Sequence, residues 1–136
     1  MLRGLTTISL YADDVAEAAR WYAEVLGIEP YFVRNGPDGT PAYIEFRVGD
    51  DEDELGLVDR RFEVTPAEKP AGVVVYWHVD DLDGTLDRLV GLGATVHDEI
   101  RERGEGFRTA SVVDPFGNIV GVMFNPHYLD QHTTAS

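Results

Sequence analysis

Cysteine is absent from the 136-residue chain, which excludes disulfides, cysteine-ligated zinc, iron–sulfur clusters and thiol nucleophiles. Positive charge is scarce, because 11 Lys and Arg stand against 25 Asp and Glu, for a net charge of −14. Such a surface repels phosphate backbones and anionic lipids, which disfavours nucleic-acid and membrane partners. No apolar run approaches the roughly 18 residues of a membrane span, and no signal-peptide pattern opens the chain. We therefore expect a cytoplasmic protein.

The dominant feature of the sequence is an internal repeat. In each half an apolar-rich segment runs into an Asp-Asp pair, then an amphipathic stretch, then Leu-Gly and a second apolar segment. Asp13-Asp14 recur as Asp80-Asp81 after 67 positions, and Gly27 recurs as Gly93 after 66 positions. This near-constant spacing indicates two copies of one module, each about half the chain long.

Each Asp-Asp pair predicts the start of a helix. Asp14 and Glu17 form a capping-box pattern, so a helix should begin at about Val15 and end at Gly27. The second copy predicts a helix with an apolar stripe that ends at Gly91 or Gly93. Each helix has a single apolar stripe, so each should lie on a sheet.

Strand patterns separated by Gly, Pro and Asn turns follow both helices. The predicted strands are Ile28–Arg34, Ala42–Val48 and Leu55–Val58 in the first half, and Thr95–Ile100, Phe107–Val113 and Ile119–Phe124 in the second. Each half therefore predicts a βαβββ order in a single α+β domain over residues 1–136. The modules would span about 5–62 and 73–125, with a linker at about 63–72 and a tail at 126–136. The acidic run Asp50–Glu54 is interpreted as a solvated hairpin turn, because charge runs usually lie in water.

The tandem order and several short motifs resemble the vicinal oxygen chelate superfamily, which contains glyoxalases, extradiol dioxygenases and bleomycin-resistance proteins. The motifs are Ala12-Asp13-Asp14-Val15, Trp21-Tyr22, Leu26-Gly27, Val79-Asp80-Asp81-Leu82, Leu92-Gly93-Ala94 and Asp114-Pro115-Phe116-Gly117-Asn118. The resemblance implies two modules that form an incomplete curved barrel around a cavity. It also implies association into a homodimer.

Enzymes of this superfamily hold a divalent metal with His, Glu or Gln side chains at four strand positions. The resemblance places these positions at Thr7, Val74, Gly121 and near Gly56 or Leu57. None of these side chains is a good ligand, since zinc and iron prefer imidazole or carboxylate and magnesium prefers anionic oxygen. We therefore expect no metal and no cofactor.

Strand alternation sorts the side chains that would face the cavity. Alternation does not decide which residues face the cavity on two further strands. One of these strands carries Tyr43 and Glu45, and the other carries Phe107 and Arg108. The predicted ligand-binding residues are mixed aromatic and polar: Thr7, Ser9, Tyr11, Tyr43, Val74, Tyr76, His78, Phe107, Thr109, Gly121 and Met123. Such a lining suits a flat or amphipathic organic molecule.

Three functions remain open. The first is a metal-free protein, similar to the bleomycin-resistance group, that binds or sequesters a small aromatic or cationic molecule. The second is a metal-independent isomerase or lyase that uses His78, Glu45 and Arg108 for proton transfer and anion binding. These three residues also have structural interpretations: His78 as a hydrogen-bonded histidine, and Glu45 and Arg108 as members of ion pairs. The third is a structural or regulatory dimer whose cavity has no ligand.

Overall fold

The computed structural model describes residues 1–66 and 68–133 of the chain. The chain divides into two compact units, Met1–Glu68, called module 1, and Lys69–Ser136, called module 2. Both modules have the predicted βαβββ order, and each builds one four-stranded mixed sheet. The α+β fold class inferred from the repeat is therefore confirmed.

Module 1 places its sheet strands in the order β1-β4-β3-β2, with β1 and β4 parallel and the other pairs antiparallel. Asp14 caps its helix, because the Asp14 carboxylate accepts a hydrogen bond from the Glu17 backbone nitrogen. Gly27 ends the helix in the left-handed conformation that glycine adopts without steric cost. The elements are β1 Thr7–Ala12, α1 Val15–Leu26, β2 Phe32–Asn35, β3 Pro41–Val48 and β4 Asp53–Asp59, followed by a short 3₁₀ turn at Arg60–Phe62.

Module 2 repeats this arrangement with strand order β5-β8-β7-β6. Asp81 caps its helix by accepting a hydrogen bond from the Gly84 backbone nitrogen. The elements are β5 Tyr76–His78, α2 Leu82–Gly91, β6 Thr95–Gly104, β7 Phe107–Val113, β8 Ile119–Phe124 and α3 Pro126–His132. The predicted bounds of β7 and β8 match the structure at both ends.

The core of each module lies between its helix and one face of its sheet. In module 1 the α1 stripe is buried together with the alternate residues of β3 and β4, namely Val15, Ala18, Ala19, Tyr22, Ile44, Phe46, Leu55 and Leu57. In module 2 the corresponding set is Leu82, Leu89, Ala94, Ala110, Val112 and Val122. Burial of these apolar side chains fixes the register of each sheet, since a shift by one residue would exchange its two faces.

Four segments differ from the expectations. Strand β2 begins only at Phe32, after Pro30, and β6 continues four residues beyond Ile100. The acidic run is a turn only over residues 49–52, because Asp53 and Glu54 pair with β3 as part of strand β4.

The tail contains a helix, α3, that the sequence reading missed. Residues 134–136 of the expected tail lie outside the described residues. No helix within residues 1–66 and 68–133 is both long and apolar enough to cross a membrane.

Candidate functional site

Each sheet has a second face, opposite its helix, which we call the open face. Strand alternation and register put every second residue there. The open face of module 1 carries Thr7, Ser9, Tyr11, Phe32, Arg34, Tyr43, Glu45, Arg47, Glu54, Gly56 and Val58. The open face of module 2 carries Tyr76, His78, Phe107, Thr109, Ser111, Val113, Ile119, Gly121 and Met123. The sequence left the orientation of these residues undecided. The ladder registers put Tyr43, Glu45 and Phe107 on open faces and Arg108 on the helix side.

Two carboxylates on the module 1 open face are held by hydroxyl groups. The Tyr43 hydroxyl donates to Glu45 Oε1 at 2.7 Å, and the Thr7 hydroxyl donates to Glu54 Oε1 at 2.7 Å. Burial, the hydrogen bond to Glu45 and the nearby carboxylate charges raise the pKa of the Tyr43 hydroxyl above its ordinary value. Tyr43 therefore keeps its proton and acts as a hydrogen-bond donor.

The ring of Tyr43 covers Gly56, one of the positions that the resemblance assigns to a metal ligand. A Cβ atom at Gly56 would come within 2.6 Å of Tyr43 Cε1 and of the Tyr43 hydroxyl oxygen. Leu57, the other assigned position, is buried on the helix side of the sheet. The place for a ligating side chain in β4 is therefore occupied by an aromatic ring.

Arg47 lies between two carboxylates on the same face. The Arg47 Nε atom lies 3.9 Å from Glu45 Oε2, which is beyond hydrogen-bond distance. Arg47 stands opposite Glu54 in the β3–β4 ladder. The guanidinium carbon sits 4.2 Å from the centroid of the Tyr31 ring, a cation–π contact. Arg47 Nε is buried and donates to no acceptor among the described residues.

Module 2 repeats the covered glycine with a different ring. A Cβ atom at Gly121 would come within 2.6 Å of the Val75 carbonyl oxygen, 2.8 Å of Tyr76 Cδ1 and 2.9 Å of Val74 Cγ1. Tyr76 and Val74 thus share the space above Gly121. Tyr76 is 38% exposed, so its ring is available to a ligand.

His78 lies on the open face of module 2 with both ring nitrogens in use. The Asn125 backbone N–H donates to Nδ1 at 3.1 Å, which leaves the proton on Nε2 facing Asp80 Oδ1 at 3.1 Å. The Tyr128 ring of α3 stacks on the imidazole at a centroid distance of 4.8 Å. The histidine therefore fastens α3 to the sheet, and its position gives it no free nitrogen for a substrate.

The C-terminal helix also contacts the neighbouring open-face residues. The His127 ring meets the Phe107 ring edge-on at 5.4 Å, and the Asn125 side-chain amide approaches Met123 Sδ at 3.7 Å. On the next row, Thr109 is buried and accepts a hydrogen bond from Arg103 Nε at 3.0 Å. Helix α3 thus covers the end of the open face that carries His78, Phe107 and Met123.

Arg108 is bound into ion pairs on the helix side of module 2. It donates to Asp83 on α2 at 3.0 Å and to Glu102 on β6 at 2.8 Å. These hydrogen bonds raise the pKa of Arg108 and lower that of Asp83. Because Arg108 and His78 stand on opposite faces of one sheet, they do not converge on a common substrate.

The residues at the family's metal positions do not fit a metal ion. Thr7, Gly56, Val74 and Gly121 provide one hydroxyl group and no imidazole or carboxylate. The Thr7 hydroxyl is engaged by Glu54, and rings cover both glycines. Within the described part of the chain, no three His, Asp or Glu side chains are grouped closely enough to hold an ion.

A family model decides the relationship of this chain to known proteins. The model of the Glyoxalase/Bleomycin resistance protein/Dioxygenase superfamily matches residues 4–122. The chain belongs to this superfamily. Its paired βαβββ modules and the Asp-Pro-Phe-Gly-Asn turn before β8 are thus features of a superfamily member. No curated protein sequence matches the chain.

Solved structures share the fold at low sequence identity. A glyoxalase-related enzyme from Fulvimarina pelagi matches with a TM-score of 0.69 and 24% identity, covering 92% of this chain and 90% of its own. TnmS3, an antibiotic binding protein from Streptomyces sp. CB03234, matches with a TM-score of 0.65 and 24% identity, covering 89% and 94%. TioX from Micromonospora sp. ML1 matches with a TM-score of 0.65 and 18% identity, covering 89% and 98%.

Sequence reasoning missed several open-face contributors. Glu54 falls within the segment that is predicted to be a solvated turn, and Arg47 is not among the predicted site residues. The hairpin turn at residues 49–52 would have identified both, because its length sets Arg47 opposite Glu54. Tyr31 follows Pro30 and lies outside the strands, so no hydrophobic periodicity in the sequence predicts its contact with Arg47.

Proposed function

We propose that this superfamily member binds or sequesters a small organic molecule, aromatic or cationic, on its open faces without a metal ion. It would do so in the cytoplasm, as a homodimer of the kind that the resemblance implies. Sequestration requires affinity and no catalyst, so no proton-transfer group has to be free. The low-identity structural match to an antibiotic binding protein is compatible with this role.

The observation that carries the proposal is the replacement of ligand positions by covered glycines. Gly56 lies under Tyr43 and Gly121 lies under Tyr76, with no room for a Cβ atom at either site. Positions that hold metal ligands in the superfamily's enzymes here support aromatic rings. Aromatic rings bind flat organic molecules through stacking and apolar contact.

The polar groups on the open faces support the same role. On the module 1 open face the carboxylates of Glu45 and Glu54 are balanced by Arg34 and Arg47, which favours neutral molecules over anions. Tyr31 and Phe32 add ring surface that is 63% and 40% exposed. An enzyme that uses His78 and Arg108 has less support. Both ring nitrogens of His78 and the guanidinium of Arg108 already make hydrogen bonds within the protein.

Calorimetric titration of aromatic and cationic antibiotics into the purified protein tests the proposal. We expect at least one aromatic compound to bind, and Tyr76→Ala to weaken its binding about tenfold, because a stacking contact contributes about 1 kcal/mol or more. Tyr76→Phe is the matched control, since it keeps the ring and should keep the affinity.

Two results would contradict this proposal. One is an affinity for aromatic compounds that Tyr76→Ala leaves unchanged. The other is stoichiometric retention of a divalent ion after the protein has been loaded with zinc, manganese or magnesium and dialysed. Elemental analysis of the dialysed protein measures that retention.

A further inference from the structure

Arg47 differs from the other partly buried arginines because its buried Nε has no acceptor in the described part of the chain. Arg60 donates to Tyr11 O and Glu63, and Arg108 donates to Asp83 and Glu102. Arg47 has 36% of its side chain exposed, but its Nε is buried and donates to no acceptor within the described residues. Since buried polar groups are normally hydrogen-bonded, the Arg47 Nε–H is a donor that the described part of module 1 does not use.

The Arg47 guanidinium is held in place although its Nε has no acceptor among residues 1–66 and 68–133. The Tyr31 ring stacks on it at 4.2 Å, and the Tyr31 backbone nitrogen donates to the Glu45 carbonyl oxygen at 2.7 Å. Glu45 is itself fixed by the Tyr43 hydroxyl on Oε1. A donor that is already oriented binds an acceptor at a lower entropic cost than a flexible side chain would.

Donor and acceptor stand side by side on this face. Glu45 Oε1 is taken by Tyr43, whereas Glu45 Oε2 lies 3.9 Å from Arg47 Nε. A group that bonds to both must offer an acceptor next to a donor, as an amide does with its C=O and N–H. A carboxylate would face repulsion from Glu45 and Glu54, and an ammonium group would face repulsion from Arg47.

We propose that the Arg47–Glu45 pair on the module 1 open face recognises the amide group of a neutral aromatic ligand. The amide oxygen accepts from the Arg47 guanidinium, and the amide N–H donates to the Glu45 carboxylate. The ring of the ligand packs against the exposed rings of Tyr31 and Phe32. This assignment rests on the proposed small-molecule binding function and narrows its ligand to one chemical class.

Three probes of nearly equal size separate the alternatives: benzamide, benzoate and benzylamine, which are neutral, anionic and cationic at pH 7. Backbone amide shifts in ¹⁵N-labelled protein give each dissociation constant and place each probe on the sheet. We expect benzamide to bind about tenfold more tightly than either charged probe, and to shift signals of β3 and β2. This difference corresponds to the gain from one or two hydrogen bonds without charge repulsion.

Arg47→Met supplies the decisive variant. It removes the donor and the positive charge, so benzamide affinity should fall about tenfold and benzylamine should become the tightest probe. Arg20→Met is the matched control, because Arg20 is exposed on α1 and gives the same change in net charge. It should leave the order of the three probes unchanged. Far-ultraviolet circular dichroism confirms that both variants fold.

The outcomes distinguish this inference from the proposed function. If aromatic probes bind but benzamide has no advantage, or if Arg47→Met leaves the order unchanged, the amide assignment is overturned and small-molecule binding stands. If none of the three probes shifts signals of the module 1 open face at millimolar concentration, the amide assignment is overturned, and the calorimetric titration of antibiotics decides the proposed function separately.

Discussion

The open faces of modules 1 and 2 are built on one plan but carry different chemistry. Each centres on a glycine of the last sheet strand, Gly56 or Gly121, covered by a tyrosine ring. Around the glycine, equivalent ladder positions differ, with Tyr43, Glu45, Arg47 and Glu54 in module 1 replaced by Thr109, Ser111, Val113 and Ile119 in module 2. At these ladder positions module 1 is charged and module 2 is neutral, and the charges nearby in module 2 include the ion pair of Asp98 and Arg101 on β6.

A second difference is the cover on each face. In module 2 the C-terminal helix lies against His78 and Phe107. In module 1 the described residues after β4 form a 3₁₀ turn at Arg60–Phe62, and Arg60 donates to the Tyr11 backbone oxygen. The two modules thus share the sheet order and the glycine positions, whereas the covering helix is found in module 2.

Alanine substitution at the two central glycines should give the largest and most unequal effects. At Gly121 a methyl group would meet the Val75 carbonyl oxygen, which is backbone, so Gly121→Ala should lower the free energy of unfolding by about 3 kcal/mol. At Gly56 it would meet only the Tyr43 ring, which can rotate, so Gly56→Ala should cost about 1 kcal/mol. Urea unfolding measures both. Equal losses would show that the two glycines are covered in the same way.

Tyr43→Phe should produce an intermediate effect that depends on pH. At pH 7 the loss of the hydrogen bond to Glu45 should cost about 1.5 kcal/mol, because the acceptor is a buried carboxylate. The pKa of Tyr43 is raised in the folded state, so its contribution is fully present below about pH 10 and is lost as the pH rises further. The difference in unfolding free energy between native protein and variant should therefore narrow in alkaline solution.

Thr109→Val is the control for this pH dependence. Thr109 occupies the equivalent ladder position in module 2 and accepts from Arg103, but its hydroxyl does not titrate. Its substitution should therefore cost a constant amount between pH 7 and pH 11. A difference for Tyr43→Phe that stays constant over the same range would contradict the assigned role of the Tyr43 hydroxyl.

Removal of the cap of α3 should have the smallest effect. Asn125 accepts from the backbone nitrogens of His127 and Tyr128, so Asn125→Ala should cost about 1 kcal/mol. The loss should be local, with faster hydrogen exchange of the α3 amides and unchanged exchange in the module 1 sheet. Asp81→Ala, at the cap of α2, provides a comparison of equal size. Unchanged exchange in α3 would contradict the role of Asn125.

Much of the fold could be predicted because the signals were local. The side chains of Asp14 and Asp81 cap the helices that their patterns predict. Gly27 stops α1, whereas α2 ends at Gly91 with Leu92 as its C-cap. The α3 helix was missed although its signals were present. Pro126 opens the predicted tail, with no helix expected there, whereas Asn125 and Pro126 provide an N-cap and a proline at the first helical turn.

The open faces could be predicted only in part. Alternation predicts which residues of one strand share a face, but not which residues of other strands they contact. Alternation within β1 and β5 put Thr7, Tyr76 and His78 on the sheet face that the ladder registers also give. It could not show that Tyr43 leans over Gly56, or that α3 would occupy His78. Such contacts depend on which strands are adjacent and on diagonal reach across the ladder, and neither is encoded within a single strand.

The strand β6, at the edge of the module 2 sheet, has a consequence for how this sheet meets other proteins. It is ten residues long, shifts register three times along β7 and carries Asp98, Glu99, Arg101, Glu102 and Arg103. Its unpaired backbone groups are therefore unevenly spaced and flanked by charge. An incoming strand finds no continuous row of partners there, so this edge protects the protein from growing into aggregated sheets at high concentration.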